Sequence, residues 1–104
     1  MEYAPWTGYD LDETIAKKSK YRGLIGEAIP SMIERIQKDL DAGKRVKIFT
    51  ARVVHGSKEI KKIKRWLLAQ GLPQLEVTNE KDPGMQKLYD DKAQRVEKNT
   101  GKLI

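Results

Sequence analysis

The chain has 104 residues, 38% of them hydrophobic and 35% charged, and a formal net charge of +6. That length predicts one core in a single domain over residues 1–104 and leaves no room for a large second lobe. No apolar run is long enough for a bilayer span, and with no cysteine neither disulfides nor thiolate metal sites are available.

The opening MEYAPW has neither the basic nor the apolar region of a signal peptide, so a cytoplasmic protein with no membrane partner is expected. Positive charge gathers in AKKSKYR, KEIKKIKR and KNTGK, which favours the approach of phosphates or nucleic acid.

Residues 6–9 read as a short strand with Pro5 at its edge. Residues 17–27, basic and containing glycine, predict a loop or a small flap. Ile29, Met32, Ile33, Ile36 and Leu40 then share one helical stripe. Pro30 suits the first turn of that helix and Gly43 its end. In RVKIFTAR, the residues Val46, Ile48 and Phe49 predict a buried strand. Ser57 is placed to cap a second helix, whose stripe is Ile60, Ile63 and Leu67 beside Trp66, and Gly71 stops it. LEVT, residues 75–78, predicts a third strand, and DPG, residues 82–84, a turn. QKLY predicts a fourth strand leading into Asp90 and Asp91, and a weak strand follows near residues 94–96.

Strands alternating with helices predict an α/β fold, here a three-layer Rossmann-like parallel sheet with helices on both faces. Ligands of such sheets bind beyond the carboxyl ends of the strands. Asp10 and Asp12 follow the first strand, Thr50 the second, Lys81 the third, and Asp90 and Asp91 the fourth. Acids, a hydroxyl and an amine are thus expected to converge on one edge.

Clustered carboxylates repel unless something positive lies among them. With no cysteine and one histidine, the natural filler is a hard cation such as Mg²⁺, which takes oxygen ligands, here from Asp10, Asp90 and Asp91. Thr50 can donate a hydrogen bond to a phosphate, and Lys81 can offset its charge. One carboxylate of the Asp10 and Asp12 pair can attack phosphorus to form an acyl phosphate. The other can protonate the leaving oxygen and later activate water. An extended backbone through residues 10–12 points both to the same side.

At these residues the chain resembles the haloacid dehalogenase-like (HAD) hydrolase superfamily, over most of its length. DLDET matches the DxDxT motif, VKIFT the strand ending in Thr or Ser, and LYDD the terminal acidic motif, with a lysine between. The resemblance implies a Mg²⁺-dependent phosphatase with Asp10 as nucleophile and metal ligand. Asp12 would be general acid/base, with its backbone carbonyl on the metal. Thr14 would shape the turn after the first strand. Thr50 would bind the transferring phosphoryl group, and Lys81 would steady nucleophile and phosphate. Asp90 would hold the metal directly, Asp91 directly or through water. The family often has Gly where this chain has Glu13; a further acid beside the phosphate would narrow the substrate range. No segment is large enough for the family's usual cap, which implies a minimal, capless member. An open site suits a bulky phosphomonoester, such as a nucleic-acid end or a phosphoprotein, and a small one if an oligomer supplies the missing lid. The basic surface fits a nucleotide or a nucleic-acid 3′-phosphate, and a sugar phosphate is also allowed.

Bland roles compete at several positions. Asp10 and Asp12 also suit a turn and a helix cap, and Lys81 suits a solvated surface. His55 lies in a loop, where exposure is the common fate; Arg52, two residues after Thr50, suits contact with substrate and a surface role equally. The lysine-rich face of Lys58, Lys61, Lys62 and Arg65 is usually just solvated, and Trp6 and Trp66 suit packing better than base stacking. The competing function is a non-catalytic HAD-fold module binding nucleic acid or a protein partner. The retention of both Asp10 and Asp12 favours the enzyme.

Overall fold

The computed structural model describes residues 3–104. In chain order its elements are β1 (Trp6–Tyr9), α1 (Pro30–Asp41), β2 (Val46–Phe49), a 3₁₀ turn (Ala51–His55), α2 (Ser57–Ala69), β3 (Glu76–Thr78) and β4 (Met85–Tyr89). The four strands form one sheet in the order β3-β2-β1-β4, all parallel. This is the expected small α/β, Rossmann-like arrangement. Both central strands carry apolar residues because each is flanked by a neighbour on either side; all four residues of β1 are buried.

The helices form for the reasons legible in their spacing. Pro30 opens α1, where a missing N–H costs nothing. Gly43 and Gly71, at φ 79° and 80°, turn the chain out of α1 and α2 in the left-handed region that glycine enters freely. Ser57 does not cap α2. It is the first helical residue, preceded by Gly56 at φ 91°, and no side chain caps that end. The weak strand expected near residues 94–96 is reduced to an isolated antiparallel bridge between Val96 and Leu103.

Both helices lie on the same face of the sheet, which differs from the expected three layers. Ile36 of α1 and Ile63 and Leu67 of α2 join Tyr9, Val46 and Ile48 in one buried cluster. Each of these side chains contributes roughly 1.5–3 kcal/mol by leaving water. The topology explains the shared face. The crossovers β1→β2 and β2→β3 step in the same direction, and right-handed connections then put both helices on one side. The chain returns from β3 to β4 across the other side, through residues 79–84, without a helix.

That second face is built from side chains and this connection. Trp6 lies 6.5 Å from the Phe49 ring, centre to centre. A Cβ on Gly8 would meet Trp6 at 2.9 Å and Leu88 at 3.0 Å, so glycine lets the indole lie against the strand. The Lys47 ammonium sits 4.4 Å from the Trp6 ring centre and reaches Glu76 at 3.0 Å and Asp82 at 3.5 Å. Asp82 also accepts the Trp6 indole N–H at 2.7 Å.

Residues 17–27 form a flap pinned at its base. Ala16 and Ala28 pair as an antiparallel bridge, and Lys17 N–H donates to the Glu27 carbonyl at 2.7 Å. A Cβ on Gly26 would lie 1.9 Å from the Lys17 carbonyl oxygen, so no other residue fits there without movement. Among the described residues, no helix is long and apolar enough to cross a membrane.

Candidate active site at the carboxyl edge of the sheet

The strand order reverses beside β1, with β2 on one side and β4 on the other. The chain leaving β1, β2 and β4 therefore opens a cleft at their carboxyl ends. It has a volume of about 320 Å³ and is lined by Asp10, Asp12, Glu13, Phe49, Thr50, Ala51, Arg52, Asp90 and Lys92.

Asp10 leaves β1 with its N–H donated to the Tyr89 carbonyl at 2.9 Å, which ties the end of β1 to the end of β4. Its carboxylate shares the edge with those of Asp90 and Asp91; one oxygen from each lies within 4.8 Å of the others. Burial, the hydrogen bond with Asp91 and the charge of Asp90 push the Asp10 carboxyl up to about 7. Three such acids are held together at a cost that a bound cation would remove. The donor set is all oxygen, which fits Mg²⁺.

Asp90 accepts the Lys92 N–H at 2.8 Å, a tight local turn that fixes its carboxylate. Asp91 is fixed from across the chain. Its N–H donates to Thr14 Oγ1 at 3.1 Å, and the Thr14 hydroxyl donates back to its carboxylate at 2.9 Å. A hydroxyl has one hydrogen, so the longer 3.4 Å approach of Thr14 to Asp10 is secondary. Thr14 thus joins the DLDET segment to the acidic end of β4. The Thr14 hydroxyl is the first cause that holds the Asp91 carboxyl below the usual carboxylate range.

Thr50 is buried at the end of β2. Its N–H donates to the Thr78 carbonyl at 2.9 Å, and its Oγ1 accepts the Arg52 N–H at 3.2 Å, starting the 3₁₀ turn. Because the oxygen serves as acceptor, the hydroxyl hydrogen is left to donate into the cleft. Asp12, two residues beyond Asp10, is gripped by Arg52: Nε donates to Oδ2 at 2.7 Å and Nη2 to Oδ1 at 2.8 Å. Glu13 holds φ 65°, in the left-handed region that favours glycine.

Of the expected residues, Asp10, Asp12, Thr50 and Asp90 line the cleft, and Asp91 stands beside Asp10 and Asp90 without lining it. Lys81 does not line the cleft; it is exposed in the connection between β3 and β4. The lysine of the cleft is Lys92, directly after Asp90 and Asp91, a position sequence reasoning passed over. Arg52 was also underrated, since its partner Asp12 is remote in sequence. His55 is exposed on the far side of Arg52, in a neighbouring depression shared with Arg22 and Lys62.

In structure the chain is similar to a conserved protein coded by a locus from Bacteroides thetaiotaomicron, with a TM-score of 0.65 and 22% identity. The alignment covers 88% of this chain and 78% of that one. At that identity the likeness shows the α/β fold. No protein-family model and no curated protein sequence matches the chain.

Proposed function

We propose that the chain is a Mg²⁺-dependent phosphohydrolase that cleaves phosphomonoesters through an aspartyl-phosphate on Asp10. The observation that carries this reading is the meeting of Asp10, Asp12, Thr50 and Asp90 around one cleft at the carboxyl ends of β1, β2 and β4. The motifs DLDET, VKIFT and LYDD, which resemble those of HAD hydrolases, supply these same residues.

An Asp10 carboxylate oxygen attacks phosphorus, and the bond from phosphorus to the leaving oxygen breaks. Asp12 gives that oxygen its proton. Water then attacks the phosphorus of the acyl phosphate and passes its proton to Asp12, and Asp10 is freed with release of inorganic phosphate. Thr50 donates its free hydroxyl hydrogen to a phosphoryl oxygen, and Lys92 offsets negative charge at the mouth of the cleft. Asp10, Asp90 and Asp91 would hold Mg²⁺, with the Asp12 backbone carbonyl. When bound, the ion would neutralise these acids and the phosphoryl charge. The +6 charge favours an anionic substrate such as a nucleotide or a nucleic-acid end.

Phosphate release from aryl phosphate, nucleoside monophosphates, 3′-phosphorylated oligonucleotides and a phosphopeptide tests the reading. Release is expected with Mg²⁺ and not with chelator, and Asp10→Asn should abolish it while leaving the fold intact. Release that survives in Asp10→Asn removes Asp10 as nucleophile. No release from any of the four, with salt-sensitive binding of oligonucleotides instead, replaces the enzyme with a nucleic-acid-binding module.

A further inference from the structure

We infer that Arg52 is the positioning residue for Asp12, setting the plane and direction of the carboxylate that handles the proton; this rests on the phosphohydrolase reading. An Arg side chain carries five N–H donors in a rigid fork, and all of those of Arg52 are engaged. Nε and Nη2 take the two Asp12 oxygens. Nη2 also donates to the Leu24 carbonyl at 3.0 Å. Nη1 donates to Glu59 at 2.9 Å and to the Gly23 carbonyl at 3.2 Å. The side chain is only 16% exposed.

No donor of Arg52 is left over for a phosphoryl oxygen, so the residue is not built to bind substrate. Its whole geometry is spent on Asp12 and on anchors that keep the fork still. Those anchors come from two separate elements: the flap, through Gly23 and Leu24, and α2, through Glu59. Glu59 is itself braced by Lys62 at 3.4 Å. An aspartate turns readily about its last torsion; a two-point grip removes that freedom. A carboxylate offers about four lone-pair sites, so the fork leaves others directed elsewhere for the proton. The same residue fixes both sides of the cleft, because its backbone N–H holds Thr50 Oγ1.

The consequence is specific to the leaving group. p-Nitrophenolate departs without a proton, whereas an alkoxide needs one from Asp12. The ratio kcat/KM reports steps up to departure of that group. With Arg52→Lys, kcat/KM for β-glycerol phosphate should fall about 10- to 100-fold, part of what a placed general acid supplies. For p-nitrophenyl phosphate it should fall less than about 3-fold, since no proton is needed there. Glu59→Gln, which touches the fork and not Asp12, should give the same pattern more weakly, and it carries the test if Arg52→Lys fails to fold. Equal losses on the two substrates, or none, overturn the positioning role while leaving the phosphohydrolase reading in place. Absence of wild-type turnover on both substrates overturns that reading and the role of Arg52 with it.

Discussion

Thr14 and Asp91 hold each other by a pair of reciprocal hydrogen bonds, 2.9 and 3.1 Å long, between the first loop of the chain and the acidic end of β4. Carboxylates that hold a metal depend on such partners for their orientation. Thr14→Val keeps the shape of the side chain and deletes both bonds. Its affinity for Mg²⁺ should drop about 10-fold, at the lower end of what an orienting partner contributes. A Mg²⁺ titration followed by calorimetry reads this directly, and an unchanged midpoint would remove Asp91 from the proposed cation site.

Asp10 has a pH signature of its own. Its folded carboxyl is pushed up to about 7, chiefly by burial and then by Asp91 and Asp90. A raised carboxyl means that the folded state binds the proton more tightly than the unfolded one. Its contribution to stability is therefore greatest below the unfolded value, about 3.9, and is lost as pH rises toward the folded value. Without divalent cation, Asp10→Asn should be more stable than the wild type at pH 8. The gain should be on the order of 1–2 kcal/mol, allowing for solvent screening at a partly exposed site. The difference should vanish near pH 4. Urea unfolding across that range checks it, and a difference independent of pH would contradict the assignment.

Glu13 occupies a backbone conformation that costs an L-residue about 1–2 kcal/mol, and glycine avoids it at some cost in chain entropy. Glu13→Gly should raise stability by up to about 1 kcal/mol. Glu13→Val, stiff at Cβ, should lower it by at least that much. The urea midpoints of the two variants should lie on opposite sides of the wild type.

On the other face, Glu76 and Asp82 are both held below the usual carboxylate range. For Glu76 the first cause is the Lys47 ammonium; for Asp82 it is the Trp6 indole N–H, with Lys47 adding to it. Lowered carboxyls contribute stability that is present above their unfolded values, near pH 4, and is lost as pH falls through the folded ones. Lys47→Met fills the same space without the charge. It should lower stability at pH 7 and blunt the loss between about pH 5 and 3, so that the gap to the wild type narrows as pH falls. A wild-type acid limb no steeper than that of the variant would show that Lys47 contributes nothing through these acids.

The strands and helices were legible because their signals are local. The spacing of Ile29, Met32, Ile33, Ile36 and Leu40 yields α1, and the β-prone run at Val46 yields β2. Strand ends then carried Asp10, Thr50, Asp90 and Asp91 to one edge by topology alone. What failed was information that exists only across the chain. Alternation of strands and helices does not say which face each crossover takes, so the shared layer of α1 and α2 was missed. The lysine after β3 looked well placed in order, yet the short return to β4 leaves Lys81 outside the cleft. Arg52 gave no local sign of its grip on Asp12, which lies 40 positions away. Asp39 likewise interrupts an exposed-looking stretch of α1, and only the fold shows it buried, accepting the Tyr9 hydroxyl.

The two tryptophans occupy opposite layers of the molecule. Trp6 is buried behind the sheet beside Lys47, while Trp66, on α2, donates its indole N–H to the Gly26 carbonyl of the flap at 3.1 Å. Each indole is thus an optical probe of a different event. With Trp66→Phe, the remaining emission follows the sheet and its helix-free side. With Trp6→Phe, it follows the contact of residues 17–27 with α2, so loss of that contact can be timed apart from unfolding of the sheet in one small protein.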